Sequence, residues 1–160
     1  MVTGSTASNL YAEPRMTRDL DVVIELGPER VDEFVGLFGG DFYIDGETAR
    51  SETASRGMFN VIDNARMVKI DFILRKAGEY HDAAFARRRQ GELEGTAFWV
   101  ISPEDLVLAK LMWAKPSHSE MQLKDARNVL LAQPGIDRAY LDEWAAKLGV
   151  ADLLEEVSCE

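Results

Sequence analysis

The chain has 160 residues, 46% hydrophobic and 29% charged, with 12 Gly and 5 Pro, a composition that excludes collagenous, disordered and disulfide-framework classes and predicts one globular domain. Its 18 Lys and Arg against 28 Asp and Glu give a formal net charge of -10, which repels polyanions at long range and leaves nucleic-acid binding to a local site. A single cysteine, Cys159, permits no intrachain disulfide, and no window approaches 18 uninterrupted apolar residues. A reducing, cytoplasmic compartment without a membrane span is therefore expected.

In chain order, a short β-like stub at Val2-Thr3 leads into a helix near Ser5 to Ala12, and Leu20-Asp21-Val22-Val23-Ile24 reads as a strand. Helices are expected from Pro28 to Phe38 and near Glu47 to Ser55. Strands follow at Met58 to Ile62 and Val68 to Leu74, then a helix from Glu79 to Arg89 and a strand at Phe98 to Ile101. This pattern predicts an α+β fold, a small mixed sheet flanked by helices, over residues 1–101.

From Ser102 onward the pattern is helical only. Ser102 can cap, Pro103 suits the first helical position and Asp105 stands three residues after the cap, so a helix is expected over Ser102 to Ala114. Its apolar residues cover nearly every direction of the wheel, which predicts burial on most sides. Lys110 falls on one of those sides and needs an acidic or phosphate partner, or a long reach to water. Helices near Glu120 to Ala132, Asp137 to Leu148 and Val150 to Val157 complete a helical subdomain over 102–160, packed on the core as one compact unit.

Three carboxylates and a glycine carry the chemistry. Asp19 and Asp21, at i and i+2 of a strand, face the same side roughly 6 to 7 Å apart. At an effective dielectric of about 20 they repel by roughly 2 kcal/mol, a cost that a divalent cation offsets. Taken alone, an Asp-x-Asp pair is more often the solvent face of an amphipathic strand. Two further features shift the reading. Asp71 lies among Lys69 and Ile73, opposite the apolar face of Ile70, Phe72 and Leu74. Gly4-Ser5 opens a helix after the stub, where small residues let backbone amides approach a phosphate.

The arrangement Gly4-Ser5, a spacer, Asp19-Leu20-Asp21 and then Asp71 resembles the nucleotidyltransferase fold of the DNA polymerase beta superfamily. The string from Gly4-Ser5-Thr6-Ala7 through Tyr11-Ala12-Glu13-Pro14-Arg15 to Asp21 is similar to its minimal bacterial members, the uncharacterised proteins related to the AbiEii toxin of abortive-infection systems. Ser102-Pro103-Glu104-Asp105-Leu106, Lys110-Leu111 and Lys124-Asp125 echo later motifs of that group.

The resemblance implies that Gly4, Ser5, Arg15 and Lys110 contact a nucleoside triphosphate. Asp19 and Asp21 would ligate Mg²⁺ or Mn²⁺, and Asp71 would complete the metal site or accept the proton of the attacking hydroxyl. Thr17, Lys69 and Asp125 are accessory positions. The implied reaction transfers NMP from an NTP to an RNA end or a protein hydroxyl, in a toxin-antitoxin or phage-defence setting. The alternative is a catalytically inactive nucleotidyltransferase-like module that binds a partner protein encoded nearby, and a small-molecule transferase would also suit the acidic surface. Relatives carry a helix and a full strand before the Gly-Ser element, whereas Met1 here stands three residues before Gly4. That leaves an exposed sheet edge expected there, with three alternatives: the first helix is lost, the start codon is placed late, or another subunit, in a homodimer or a partner complex, covers the edge.

Arg87-Arg88-Arg89 reads as a solvated helix end that complements the dipole. His81 and His118 have no ligand spacing and read as surface residues. Trp99, Trp113 and Trp144 read as core or interface packing.

Overall fold

Alternation of apolar and polar residues in the central strands decides which side of the sheet becomes core and which is left for chemistry. A computed structural model describes residues 1–159. The chain runs β1 (Val2–Thr3), α1 (Gly4–Tyr11), β2 (Asp19–Ile24), a 3-10 turn (Pro28–Arg30), α2 (Val31–Gly36), β3 (Phe42–Ile44) and α3 (Gly46–Ser55). It continues with β4 (Met58–Asp63), β5 (Val68–Leu74), α4 (Glu79–Ala86), β6 (Arg89–Leu93) and β7 (Thr96–Val100). Four helices close it: α5 (Pro103–Ala114), α6 (Glu120–Ala132), α7 (Arg138–Leu148) and α8 (Ala151–Ser158). The fold is α+β, as the sequence pattern predicts.

The sheet is mixed, in the order β3-β4-β5-β2-β1-β7-β6. Strands β2 and β5 run parallel, as do β1 and β7, while the remaining neighbours are antiparallel. The two-residue β1 is an interior strand, paired with β2 on one side and β7 on the other. The exposed edge predicted beside Gly4 is therefore not there, and the sheet edges are β3 and β6.

One face of the sheet presents Val22, Ile24, Ile70, Phe72 and Leu74 to α2 and α3, around a cluster in which Phe34 meets Phe72 edge-on at 5.1 Å. A second core joins α1, α4 and the end of β7 to α5 through α8, centred on Leu106, Leu108 and Leu111. Residues on both sides of Ser102 share this second core. Ser102 caps α5 by accepting from the Asp105 amide at 3.1 Å, the arrangement its sequence predicts. No helix among the described residues is long and apolar enough to cross a membrane.

Three expectations need correction. Helix α4 stops at Ala86 rather than Arg89, because Arg89 begins β6, a strand with no apolar alternation. It forms because Glu94 and Gly95, with φ of 50° and 77°, make a tight turn that folds it back on β7. The three arginines are accordingly not a solvated helix end. Arg87 lies 4.0 Å over the Tyr140 ring and 3.4 Å from Glu104, Arg88 lies 4.7 Å over Trp99, and Arg89 is 3.5 Å from Glu104. Of the tryptophans, Trp144 packs on the second core, but Trp99 and Trp113 are exposed.

Candidate active site

The register of β2 against β5 builds the site. Asp19 stands opposite Lys69, Asp21 opposite Asp71 and Val23 opposite Ile73, so each pair shares the face turned away from the phenylalanine cluster. Strand β1 sets Thr3 beside Asp21, and β4 sets Asn60 beside Asp71, so one row across four strands reads Thr3, Asp21, Asp71, Asn60. Thr17 secures the start of β2: its hydroxyl donates to the Asp19 carbonyl at 3.3 Å and accepts from the Asp19 amide at 3.4 Å. Thr6 of α1 donates to the same carbonyl at 3.2 Å.

Gly4 opens α1 directly against this row. Its φ is +62°, and a Cβ placed there would stand 1.8 Å from the Asp21 Oδ2 and 2.9 Å from the Asp21 Cβ. Only glycine combines that backbone with that approach. Gly4→Ala is expected to lower the melting temperature by a few degrees, since the left-handed conformation alone costs about 1–2 kcal/mol, and to displace the Asp21 carboxylate. Thermal denaturation alongside a crystal structure of the variant checks both effects.

Asp71 is only 6% exposed. Its Oδ2 is held by the Lys69 ammonium at 2.8 Å, and its Oδ1 is buried with no hydrogen-bond partner. Burial, followed by the neighbouring Asp71 carboxylate, pushes the Asp21 carboxyl above its usual range, against the pull of Lys110 and Lys69. The Lys69 ammonium is held above its usual range chiefly by its bond to Asp71. An orphaned carboxylate oxygen beside a second carboxylate forced towards its neutral form is a donor set that fits a cation. Asp21 and Asp71 stand in register, with Asp19 two residues along β2 opposite Lys69, and no group of three His, Cys, Asp or Glu among the described residues is gathered for a metal.

A polar chain links this row to the helical half. Ser5 accepts from the Arg15 Nη2 at 2.7 Å, Arg15 grips Asp125 through Nε and Nη2 at 3.1 and 3.0 Å, and Lys110 donates to the Asp125 Oδ2 at 2.8 Å. Asn9 fixes the Arg15 backbone from both sides, accepting from its amide and donating to its carbonyl. Lys110 is 3% exposed, so Asp125 is the carboxylate its position on α5 demands. Burial is the largest influence on Asp125 and raises its pKa, but the bonds from Arg15 and Lys110 outweigh it and leave the carboxyl below its usual range.

Two cavities flank the chain of contacts. One, of about 240 Å³, is lined by Gly4, Ser5, Asp21, Asp71 and Lys110. A larger one of about 540 Å³ lies against α6 and takes in Arg15 and Asp125 but none of the strand carboxylates. The smaller cleft is the candidate site, because Asp71 with its unpartnered oxygen and the helix opening at Gly4 both line it. Of the residues singled out in the sequence, Gly4, Ser5, Asp21, Asp71 and Lys110 share that cleft, whereas Asp19 and Thr17 sit at the open end of β2 and Arg15 with Asp125 lies behind it. Among the cleft's other residues, Gln122 and the exposed Met58 and Trp113 are not site candidates on sequence grounds, Trp113 being expected as core or interface packing. No pattern marks Gln122, and the wholly apolar context of Trp113 concealed it.

A scan against protein-family models and a search of curated proteins find no match to this chain.

Proposed function

We propose that the chain is a divalent-metal-dependent nucleotidyltransferase of the DNA polymerase beta type, transferring NMP from an NTP to an RNA end or a protein hydroxyl. The observation that carries this reading is the pairing of Asp21 with Asp71 on adjacent parallel strands, with the opening of α1 at Gly4 pressed against Asp21. Asp21 and Asp71, with Asp19 at the strand's open end, would hold Mg²⁺ or Mn²⁺. The metal supplies charge stabilisation to the phosphates and acidifies the attacking hydroxyl.

The chain's own groups do the rest. Backbone amides at the start of α1 and the Ser5 hydroxyl bind phosphate oxygens, helped by the positive end of the helix dipole. Arg15 orients Ser5 through its 2.7 Å bond, and Asp125 orients Arg15, so both act as positioning residues. Asp71 Oδ1, unpartnered while Lys69 holds Oδ2, would be its metal-binding oxygen, and the proton of the acceptor hydroxyl passes to solvent. The hydroxyl oxygen forms a bond to the α-phosphorus, the bond to the bridging oxygen breaks, and pyrophosphate leaves with the electron pair. A cytoplasmic toxin-antitoxin or phage-defence setting is part of this reading.

One observation favours a second reading. The Lys69 ammonium already neutralises Asp71, as a built-in cation would in a catalytically silent module that binds a partner protein. Incubation of the protein with each α-labelled NTP, Mg²⁺ and a cell extract separates the two. Label that becomes nuclease-sensitive identifies an RNA acceptor, and protease-sensitive label a protein acceptor. Absence of label from every NTP with folded protein supports the silent module.

A further inference from the structure

Helix α5 is buried almost all round, yet Trp113 in its last turn is 65% exposed. An indole left in water forgoes the burial of one of the largest apolar side chains. Trp99 lies under Arg88 and Trp144 packs against Tyr80 and Tyr140, whereas no ring or cation among the described residues stacks on Trp113. Trp113 lines the same cleft as Asp21 and Asp71, and the exposed Met58 of β4 lines it as well. The cleft thus has a polar end, at Gly4 and Ser5, where the proposed function puts the phosphates, and an apolar end at Trp113 and Met58.

A second observation lies at the same place. Gln122 of α6 lines this cleft, and its side-chain oxygen is buried with no hydrogen-bond partner. A buried amide oxygen left unpaired costs free energy unless a ligand satisfies it. The side chain carries a donor and an acceptor side by side, the pair that matches the N6 and N7 edge of adenine.

We infer that the cleft reads the base of its nucleotide: Trp113 stacks on the ring, Gln122 hydrogen-bonds its edge, and the favoured substrate is an adenine nucleotide. This rests on the nucleotidyltransferase reading and adds to it the residues that set specificity. Trp113 is an aromatic platform with a free face, and base stacking on such a platform is sequence-tolerant, so affinity comes from Trp113 and base choice from Gln122.

Calorimetric titration of the whole chain, in the presence of Mg²⁺, with ATP, GTP, CTP, UTP and inorganic tripolyphosphate tests it. Wild-type protein is expected to bind ATP most tightly. Trp113→Leu should weaken ATP about tenfold and leave tripolyphosphate unchanged, and Trp113→Phe should restore most of the loss. Gln122→Leu should level the four nucleotides while keeping their affinity above that of tripolyphosphate. Because Trp113 is exposed, its variants are expected to melt with the wild type, which keeps a folding defect from imitating the result. Equal ATP affinity in wild type and Trp113→Leu overturns the platform, and a base preference that survives Gln122→Leu overturns the edge contact. If the folded wild type binds neither ATP nor tripolyphosphate, the nucleotide reading itself fails and the inference falls with it.

Discussion

Asp125→Ala is expected to melt on the order of 10 °C below the wild type, the largest stability loss of any single change at the site. Asp125 is buried and serves two cations at once, Lys110 at 2.8 Å and Arg15 at 3.0 Å. Lys110 is almost wholly enclosed, so removing its carboxylate strands a positive charge in the core beside Leu106 and Leu111. Breaking a buried pair from one side costs about 3–5 kcal/mol.

The cost is asymmetric. Lys110→Met leaves Asp125 paired with Arg15 and fills the space with an apolar chain, so it should cost much less. The double variant Asp125→Ala, Lys110→Met should recover most of the loss, because no enclosed charge remains unpaired. A double variant no more stable than Asp125→Ala alone would show that Lys110 is not the source of the penalty. The pH dependence follows from the same contacts. A carboxyl held below its unfolded value stabilises the fold at pH above that value, near 4, and the contribution is lost as pH falls through the folded value. The wild type should therefore lose part of its stability on acidification below about pH 4, and Asp125→Ala should lose that part of the slope.

Asp21→Asn is expected to abolish transfer while making the fold more stable. Strands in a sheet lie about 4.8 Å apart, and at an effective dielectric of about 20 two carboxylates at that distance repel by roughly 3 kcal/mol before Lys69 offsets part of it. The sign follows from the direction of the Asp21 shift. A carboxyl raised above its unfolded value by burial and by Asp71 stabilises the fold only while protonated, and that contribution is lost as pH rises through the folded value. At neutral pH the ionised Asp21 is a net cost, and Asn removes it. A melting temperature a few degrees above the wild type at pH 7, with the gain vanishing at low pH, is the expected result. Asp71→Asn should likewise abolish transfer, because the oxygen that would bind the cation is lost. A destabilised Asp21→Asn would mean that the carboxylate row is structural.

How much of this was legible in the sequence depends on the range of the interactions involved. The strands that carry Asp21 and Asp71 announce themselves through alternating apolar residues, and the start of α5 through Ser102, Pro103 and Asp105, because both signals are local. Strand β6 is polar and carries no apolar alternation, so the local signal for it is not in the strand but in the two-residue turn at Glu94-Gly95 that returns it to β7. The partner of Lys110 could be required but not located, since Asp125 comes from a different helix. The register of Asp21 with Asp71 is likewise invisible in a chain read one strand at a time. The apolar neighbours of Trp113 in sequence predict core or interface packing, while its place in the last turn of α5 leaves it in the open.

The central claim is that Asp21 and Asp71, with the opening of α1 at Gly4, bind a metal–nucleotide complex. Its most direct test is calorimetric titration of NTP into wild-type protein, Asp21→Asn and Asp71→Asn, each with Mg²⁺ and with EDTA. The account predicts saturable binding by the wild type that requires Mg²⁺ and is lost or strongly weakened in both folded variants. Nucleotide affinity unchanged by EDTA and by both substitutions would contradict it.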